Sequence, residues 1–281
     1  MSIAGVVGSG RVLATLGLAL AWLTGAGLAL GLAGCGSSDD DKNYVETPVE
    51  QLYNNALDQL GVQEYKKAAK GFEEVDRQHP YSVWATKAQL MAAFAYYQSN
   101  KYDDAIIALD RFIQLHPGHR DLAYAYYLKA LCYYEQISDV GRDQRVTQQA
   151  LEALAEVVKR FSGSPYARDA RLKVELAIDH LAGKEMAVGR YYQANQQYVG
   201  AINRYRVVIE RYQTTTHVPE ALHRLVESYL SLGVKSEAQE NAAVLGFNYP
   251  GSEWYQDSYF LMTGEGQRPS DEKPGWFFGL F

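Results

Sequence analysis

The sequence predicts an all-α fold, five helical hairpins in series, and three observations carry that prediction. Displaced against itself by 37 residues, the chain registers Tyr65, Ala68 and Phe72 on Tyr102, Ala105 and Leu109, and His79-Pro80 on His116-Pro117. Apolar residues recur at spacings of three, four and seven, which places them on one helical face. Tyr53, Ala56, Leu57 and Leu60 thus fall on Leu90, Ala93, Phe94 and Tyr97, then on Tyr127, Ala130, Leu131 and Tyr134. Finally, Pro48, Pro80, Pro117, Pro165, Pro219 and Pro250 all lie at helix starts or between hairpins, where a missing N–H does no harm.

The composition supports a packed chain and narrows its chemistry. With 281 residues, 47% of them apolar, the chain can bury a sizeable core, so disorder is excluded. The net charge of −6 lacks the basic stripe that nucleic-acid binding requires. Two cysteines, Cys35 and Cys132, are too few for a cysteine-built zinc site or a disulfide framework. Cys132 lies in an apolar helical stretch and is expected to be a buried, inert thiol.

Along the chain, the first element is the uncharged stretch from Val12 to Ala33, which ends in Leu32-Ala33-Gly34-Cys35. Such a run is also long enough to span a bilayer as an uncleaved anchor. Its abrupt end, followed by Gly36-Ser37-Ser38-Asp39-Asp40-Asp41, resembles a bacterial lipoprotein signal, with small residues before a cysteine that receives lipid. That resemblance implies a signal peptide over 1–34, lipidation of Cys35, and, from Gly36 after the cysteine, transfer to the outer membrane. Residues 35–47 then read as a flexible polar leash.

The hairpins are expected within 48–264. Their second helices are centred on Ala68, Ala105, Ala150, Ala201 and Ala238, where two helices approach too closely for a larger side chain. The Tyr/Ala/aromatic/Pro spacing resembles tetratricopeptide repeats, and that resemblance implies a right-handed α-solenoid. Two intervals in the alanine series are longer than the rest. The first adds residues around Ser138–Asp143, read as an exposed loop of the third hairpin; the second adds close to four whole turns, predicting one long helix over 166–195 if Gly183 and Gly189 do not break it. Residues 265–274 read as a linker. The chain ends in a tail, 275–281, that holds Trp276, Phe277, Phe278, Leu280 and Phe281 and no polar side chain. Burying those groups is favourable, so the tail is expected to dock on a membrane or partner, with folding back on its own solenoid as the competitor.

No constellation in the sequence joins a nucleophile, a base and an orienting group, no phosphate-binding loop is present, and no cofactor is implied. His116 and His119 flank Pro117-Gly118 and read as a structural turn rather than a metal-ligand pair. Recognition is what remains. Adjacent helical residues point about 100° apart, so the doublets Tyr96-Tyr97, Tyr126-Tyr127 and Tyr133-Tyr134 cannot lie within one stripe. With Tyr97, Tyr127 and Tyr134 assigned to hairpin packing, Tyr96, Tyr126 and Tyr133 are left to line a groove that holds a substrate's aromatics.

The lipidation box, the leash, the expanded third and lengthened fourth repeats, and the strings Leu109-Asp110-Arg111-Phe112-Ile113-Gln114-Leu115-His116-Pro117 and Tyr191-Tyr192 followed by Ala201-Ile202-Asn203-Arg204 together resemble the BamD (ComL) family of outer-membrane assembly lipoproteins. The resemblance covers roughly 32–262. It implies a non-enzymatic subunit on the periplasmic face of the outer membrane that binds the barrel subunit BamA, other assembly lipoproteins and unfolded outer-membrane proteins. The closest match in the fourth repeat makes Asn203 and Arg204 candidate partner contacts, against the plainer reading of Arg204 as a solvated surface residue. A cell-wall repeat protein and a DNA-uptake lipoprotein share parts of this pattern; the lipidation box opposes the first, the acidic balance the second.

Overall fold

A computed structural model describes residues 47–264; the signal over 1–34, Cys35 with its leash as far as residue 46, and the 265–281 linker and tail lie outside the described residues. The described chain is all-α. Ten helices form five hairpins: α1 (Val49–Gly61) with α2 (Tyr65–Gln78), α3 (Val83–Gln98) with α4 (Tyr102–Leu115), α5 (Leu122–Tyr134) with α6 (Arg145–Arg160), α7 (Pro165–Ala194) with α8 (Tyr198–Arg211), and α9 (Val218–Ser231) with α10 (Lys235–Asn248). An eleventh, α11 (Glu253–Thr263), packs on α9 and α10 and closes the series.

Local chemistry sets the boundaries. Ser82, Ser164 and Ser252 cap α3, α7 and α11 by accepting hydrogen bonds from the backbone N–H of Ala85, Ala167 and Tyr255. Pro165 and Pro219 occupy first-turn positions of α7 and α9. Between first and second helices, Gln63, Asn100, Gln196 and Gly233 all take left-handed backbone conformations, each five residues before the alanine of its second helix. Only the third hairpin replaces this tight turn, with its longer loop.

The five second-helix alanines are fully buried. Each helix packs on its neighbours in sequence, and α1 touches α3, α3 touches α5, and α5 touches α7. First helices therefore adjoin one another, while crevices open between consecutive second helices, each floored by the first helix between them.

Helix α7 runs unbroken over 30 residues, about 45 Å at 1.5 Å per residue. Its two internal glycines are sites of close packing. A Cβ on Gly189 would lie 2.4 Å from the Tyr205 ring, and one on Gly183 would lie 3.2 Å from His217 Nε2. The N-terminal half of α7 packs into the core shared with α5 and α6 through Ala170 and Val174, and the C-terminal half joins the core of α8 and α9 through Ala182 and Met186. The two sequence expansions meet here. His180 Nε2 donates to the Ser138 carbonyl at 2.7 Å, Lys184 Nζ donates to the Gly141 carbonyl at 3.1 Å, and Val140 packs over Gly183. The enlarged loop thus covers the stretch of α7 that its own lengthening carries beyond α6.

Candidate functional site

On the first-helix face, tyrosines connect one hairpin to the next. Tyr166 of α7 stacks on Tyr127 of α5 at 5.3 Å and meets Tyr124 at 5.5 Å, while Tyr97 of α3 packs against Tyr102. The hydroxyls reach carboxylates: Tyr127 donates to Asp169, and Tyr97 donates to Glu135 at 3.4 Å. Burial, then the Glu135 charge, pushes the Tyr97 hydroxyl up to about 12, and burial with Tyr166 beside it does the same to Tyr124. The Tyr127 hydrogen bond, followed by that from Lys173, lowers the pKa of Asp169. The Lys173 ammonium also stands 5.4 Å over the Tyr134 ring. All of these rings are half-buried. The face therefore combines aromatic surface with the phenols of Tyr97, Tyr124 and Tyr127, whose raised pKa keeps them able to donate.

The three tyrosines expected to line a groove lie on the opposite side of their helices. Tyr96 donates to Glu73 Oε1 of α2 at 2.7 Å and lines the crevice between α2 and α4 together with Asp104. Tyr126 packs on Phe161 at the end of α6, with the Arg160 guanidinium over its ring. Tyr133 stands beside Lys129, which reaches back to Asp110 of α4. All three face second helices. Tyr97, Tyr127 and Tyr134, read as hairpin packing, join the hairpin cores and also reach the neighbouring first helix or its carboxylates. Tyrosine doublets reveal that two faces are used, but nothing in a helical period says which one faces the next first helix.

In the fourth and fifth hairpins the polar groups form a connected chain. The Tyr205 hydroxyl donates to Gln193 Oε1 at 2.7 Å, Gln193 Nε2 donates to Glu227 Oε2 at 2.9 Å, and Arg224 Nη1 donates to the same oxygen at 2.8 Å. His223, buried on α9, lies 3.5 Å from Glu227 and 2.8 Å from Ser258 Oγ of α11. Burial opposes ionisation of Glu227, yet the bonds from His223, Gln193 and Arg224 outweigh it and hold its pKa at about 2. Arg190 Nη1 adds two 3.0 Å bonds to Glu220. Nothing in the sequence marked this set, because its members are spread over four helices.

Arg204 lies on the outside of this joint, one residue before the buried Tyr205. Its guanidinium is 3.2 Å from Glu185 Oε2 of α7 and its side chain is 44% exposed, so it is paired within the chain yet open to a partner; Asn203 beside it is exposed. Elsewhere, Cys132 is buried, its thiol pushed up to about 12 by burial. His116 and His119 both pack on Phe112, and His116 Nε2 donates to Gln89 Oε1 at 2.9 Å. Among the described residues no group of three or more His, Cys, Asp or Glu is placed to hold a metal ion.

Comparison with known proteins adds a lineage to this geometry. Residues 45–245 match the family model YfiO, described as an outer membrane lipoprotein. The chain is 51% identical over 247 residues, covering 87% of it and 81% of the relative, to the outer membrane protein assembly factor BamD of Caulobacter vibrioides. It is 45% identical over 235 residues to the protein of the same name from Rickettsia prowazekii, covering 84% of this chain and 93% of that one. With the BamD of Neisseria meningitidis serogroup B the identity is 34% over 263 residues, 89% of this chain and 95% of the relative.

Proposed function

Since this chain belongs to the YfiO (BamD) family of outer-membrane lipoproteins, we propose that it is a non-enzymatic subunit of the machinery that assembles β-barrel proteins into the outer membrane. The observation that carries this reading is the 51% identity over 247 residues with a protein named for that assembly. Lipid on Cys35 would hold the chain at the periplasmic face, with residues 35–47 as the tether. Mass spectrometry of the membrane form is expected to find an acylated Cys35 at the N-terminus; a mature chain that retains residues 1–34 contradicts the anchor.

The hairpins divide the work in this reading. The barrel subunit BamA binds the fourth and fifth hairpins, with Arg204 and Asn203 at the contact. The joint of α7, α8 and α9 behind them is cross-linked by hydrogen bonds and presents the contact on a fixed base. Arg204→Glu places a carboxylate beside Glu185 and any partner acid, and is expected to weaken co-purification of the barrel subunit by about 2 kcal/mol or more. Undiminished recovery of the barrel subunit rejects the assignment of Arg204. Unfolded barrel proteins bind the first-helix face of the earlier hairpins, where Tyr97, Tyr124, Tyr127 and Tyr134 offer rings and hydroxyls to an extended apolar-aromatic segment. Other assembly lipoproteins are further partners. The tail residues Trp276, Phe277, Phe278 and Phe281 dock on the membrane or a partner; removing 275–281 from a Cys35→Ala form is expected to reduce that association and leave its melting temperature unchanged.

A further inference from the structure

The crevices between second helices offer an internal comparison. The one between α2 and α4 has a volume near 190 Å³ and is lined by Glu73, Asp76, Gln89, Ala92, Tyr96 and Asp104, with Ile107, Ala108 and Arg111 on the α4 side. The crevice between α4 and α6 repeats it 37 residues on: Asp110 stands for Glu73, Tyr133 for Tyr96, and Lys129 for Ala92. There Lys129 rises from the floor and its ammonium lies 2.5 Å from Asp110 Oδ1, with Tyr133 and Glu156 beside it. The second crevice thus carries its own cation on the wall carboxylate.

The first crevice has the acids and lacks that cation. Asp76 is served by Arg111 at 3.1 Å and by Gln89 at 2.8 Å. Glu73 accepts only the neutral Tyr96 hydroxyl among the contacts of the crevice, and Asp104 has Lys101 at 3.5 Å, a pair exposed to water on both sides. Where the second crevice has Lys129, the first has Ala92, whose short side chain lines it without reaching the wall carboxylates, and Ile107, 69% exposed, supplies an apolar rim.

We propose that the crevice between α2 and α4 receives a lysine side chain from a partner polypeptide, its methylenes against Ala92 and Ile107 and its ammonium on Glu73 and Asp104. The site lies on the second-helix side, apart from the surfaces assigned to the barrel subunit and to unfolded barrels, and its failure would leave those assignments standing. The partner supplies in trans what Lys129 supplies in cis one repeat later.

Carbodiimide coupling of the full lipoprotein in its native membranes tests this, because it joins a carboxylate to an amine only in direct contact. Peptide mass spectrometry is expected to find Glu73 or Asp104 in amide linkage to a lysine of an identified second polypeptide. The yield should fall at least tenfold in Ala92→Lys, which fills the crevice from the floor as Lys129 does. Should Ala92→Lys fail to fold, Ile107→Lys, which brings an ammonium from the exposed rim, gives the same expected loss. Linkage only to lysines of the same chain, linkage to an aminophospholipid headgroup, no linkage, or a yield unchanged by the folded variant overturns the proposal.

Discussion

The hairpins of α1–α6 and the stretch from the C-terminal half of α7 to α11 repeat one motif, yet they are joined by different chemistry. On the first-helix face of the first region successive hairpins meet through half-buried tyrosines whose hydroxyls end on single carboxylates, as Tyr97 does on Glu135, and the polar set of Asp76, Gln89, Arg111 and His116 lies on the second-helix side. In the second they meet through a chain that runs from Tyr205 by Gln193 and Glu227 to His223 and Ser258, across four helices. A lone hydrogen bond near water contributes about 1 kcal/mol, so a ligand's ring or backbone can take its place at little cost. A network around a carboxylate held near pKa 2 is far costlier to open, because each member removed leaves others unpaired. An exchangeable face suits transient clients, and a locked joint suits a permanent partner.

Overfilling the locked joint should have the largest effect. Gly189→Ala gains helix propensity but drives a Cβ to 2.4 Å from the Tyr205 ring, and we expect a net loss of about 3 kcal/mol in chemical denaturation. Gly163→Ala, with nothing within 4 Å of the new Cβ, should stay within about 0.5 kcal/mol of the parent. Equal effects at the two sites would remove the packing argument.

Next comes the charge at the centre of the network. Glu227→Gln keeps the shape but removes the carboxylate beside His223 and leaves Arg224 only the longer contact to Glu220 at 3.5 Å, and should cost about 2 kcal/mol at neutral pH. The pKa of Glu227 is lowered on folding, so its contribution is present above the ordinary carboxylate value of 4.5 and is lost as pH falls toward about 2. Acid titration followed by hydrogen exchange should therefore loosen α9 amides across that window in the parent and much less in Glu227→Gln. Identical acid profiles would show that the carboxylate does not hold the joint.

The tyrosine contacts should give the smallest changes. Tyr127→Phe loses the bond to Asp169 and is expected to cost about 1 kcal/mol, and Tyr97→Phe, with a longer and more exposed bond, about 0.5 kcal/mol or less. Losses at Tyr97 as large as those at Glu227 would erase the contrast between the regions.

The hairpin order, the buried alanines and the helix starts were legible because each rests on local periodicity or on proline and serine chemistry. The length of α7 was also legible, since an insertion of whole turns preserves its faces, but the reason for its glycines was not: Tyr205 and His217 come from other helices. The meeting of Ser138, Val140 and Gly141 with His180, Gly183 and Lys184 is likewise tertiary, although two expansions in adjacent repeats were a signal of mutual compensation. Tyr96, Tyr126 and Tyr133 were separated from their neighbours by the 100° step, but which neighbouring helix each would face was not legible, because sequence period fixes angles around a helix without fixing an origin. Asp110, Lys129 and Ala92 occupy matching positions that a register comparison of polar residues, as well as apolar ones, would have exposed.

Tyr133 and Tyr134 offer the most direct test of how the faces are used, since the two residues share a helix and a depth and differ in direction. A photocrosslinker placed at each in the full-length lipoprotein, during synthesis of an outer-membrane barrel protein, reports which face meets the client. Capture of the unfolded barrel from position 134 at least tenfold above that from 133 is the result predicted for a first-helix client surface; equal capture, or capture favouring 133, would contradict it.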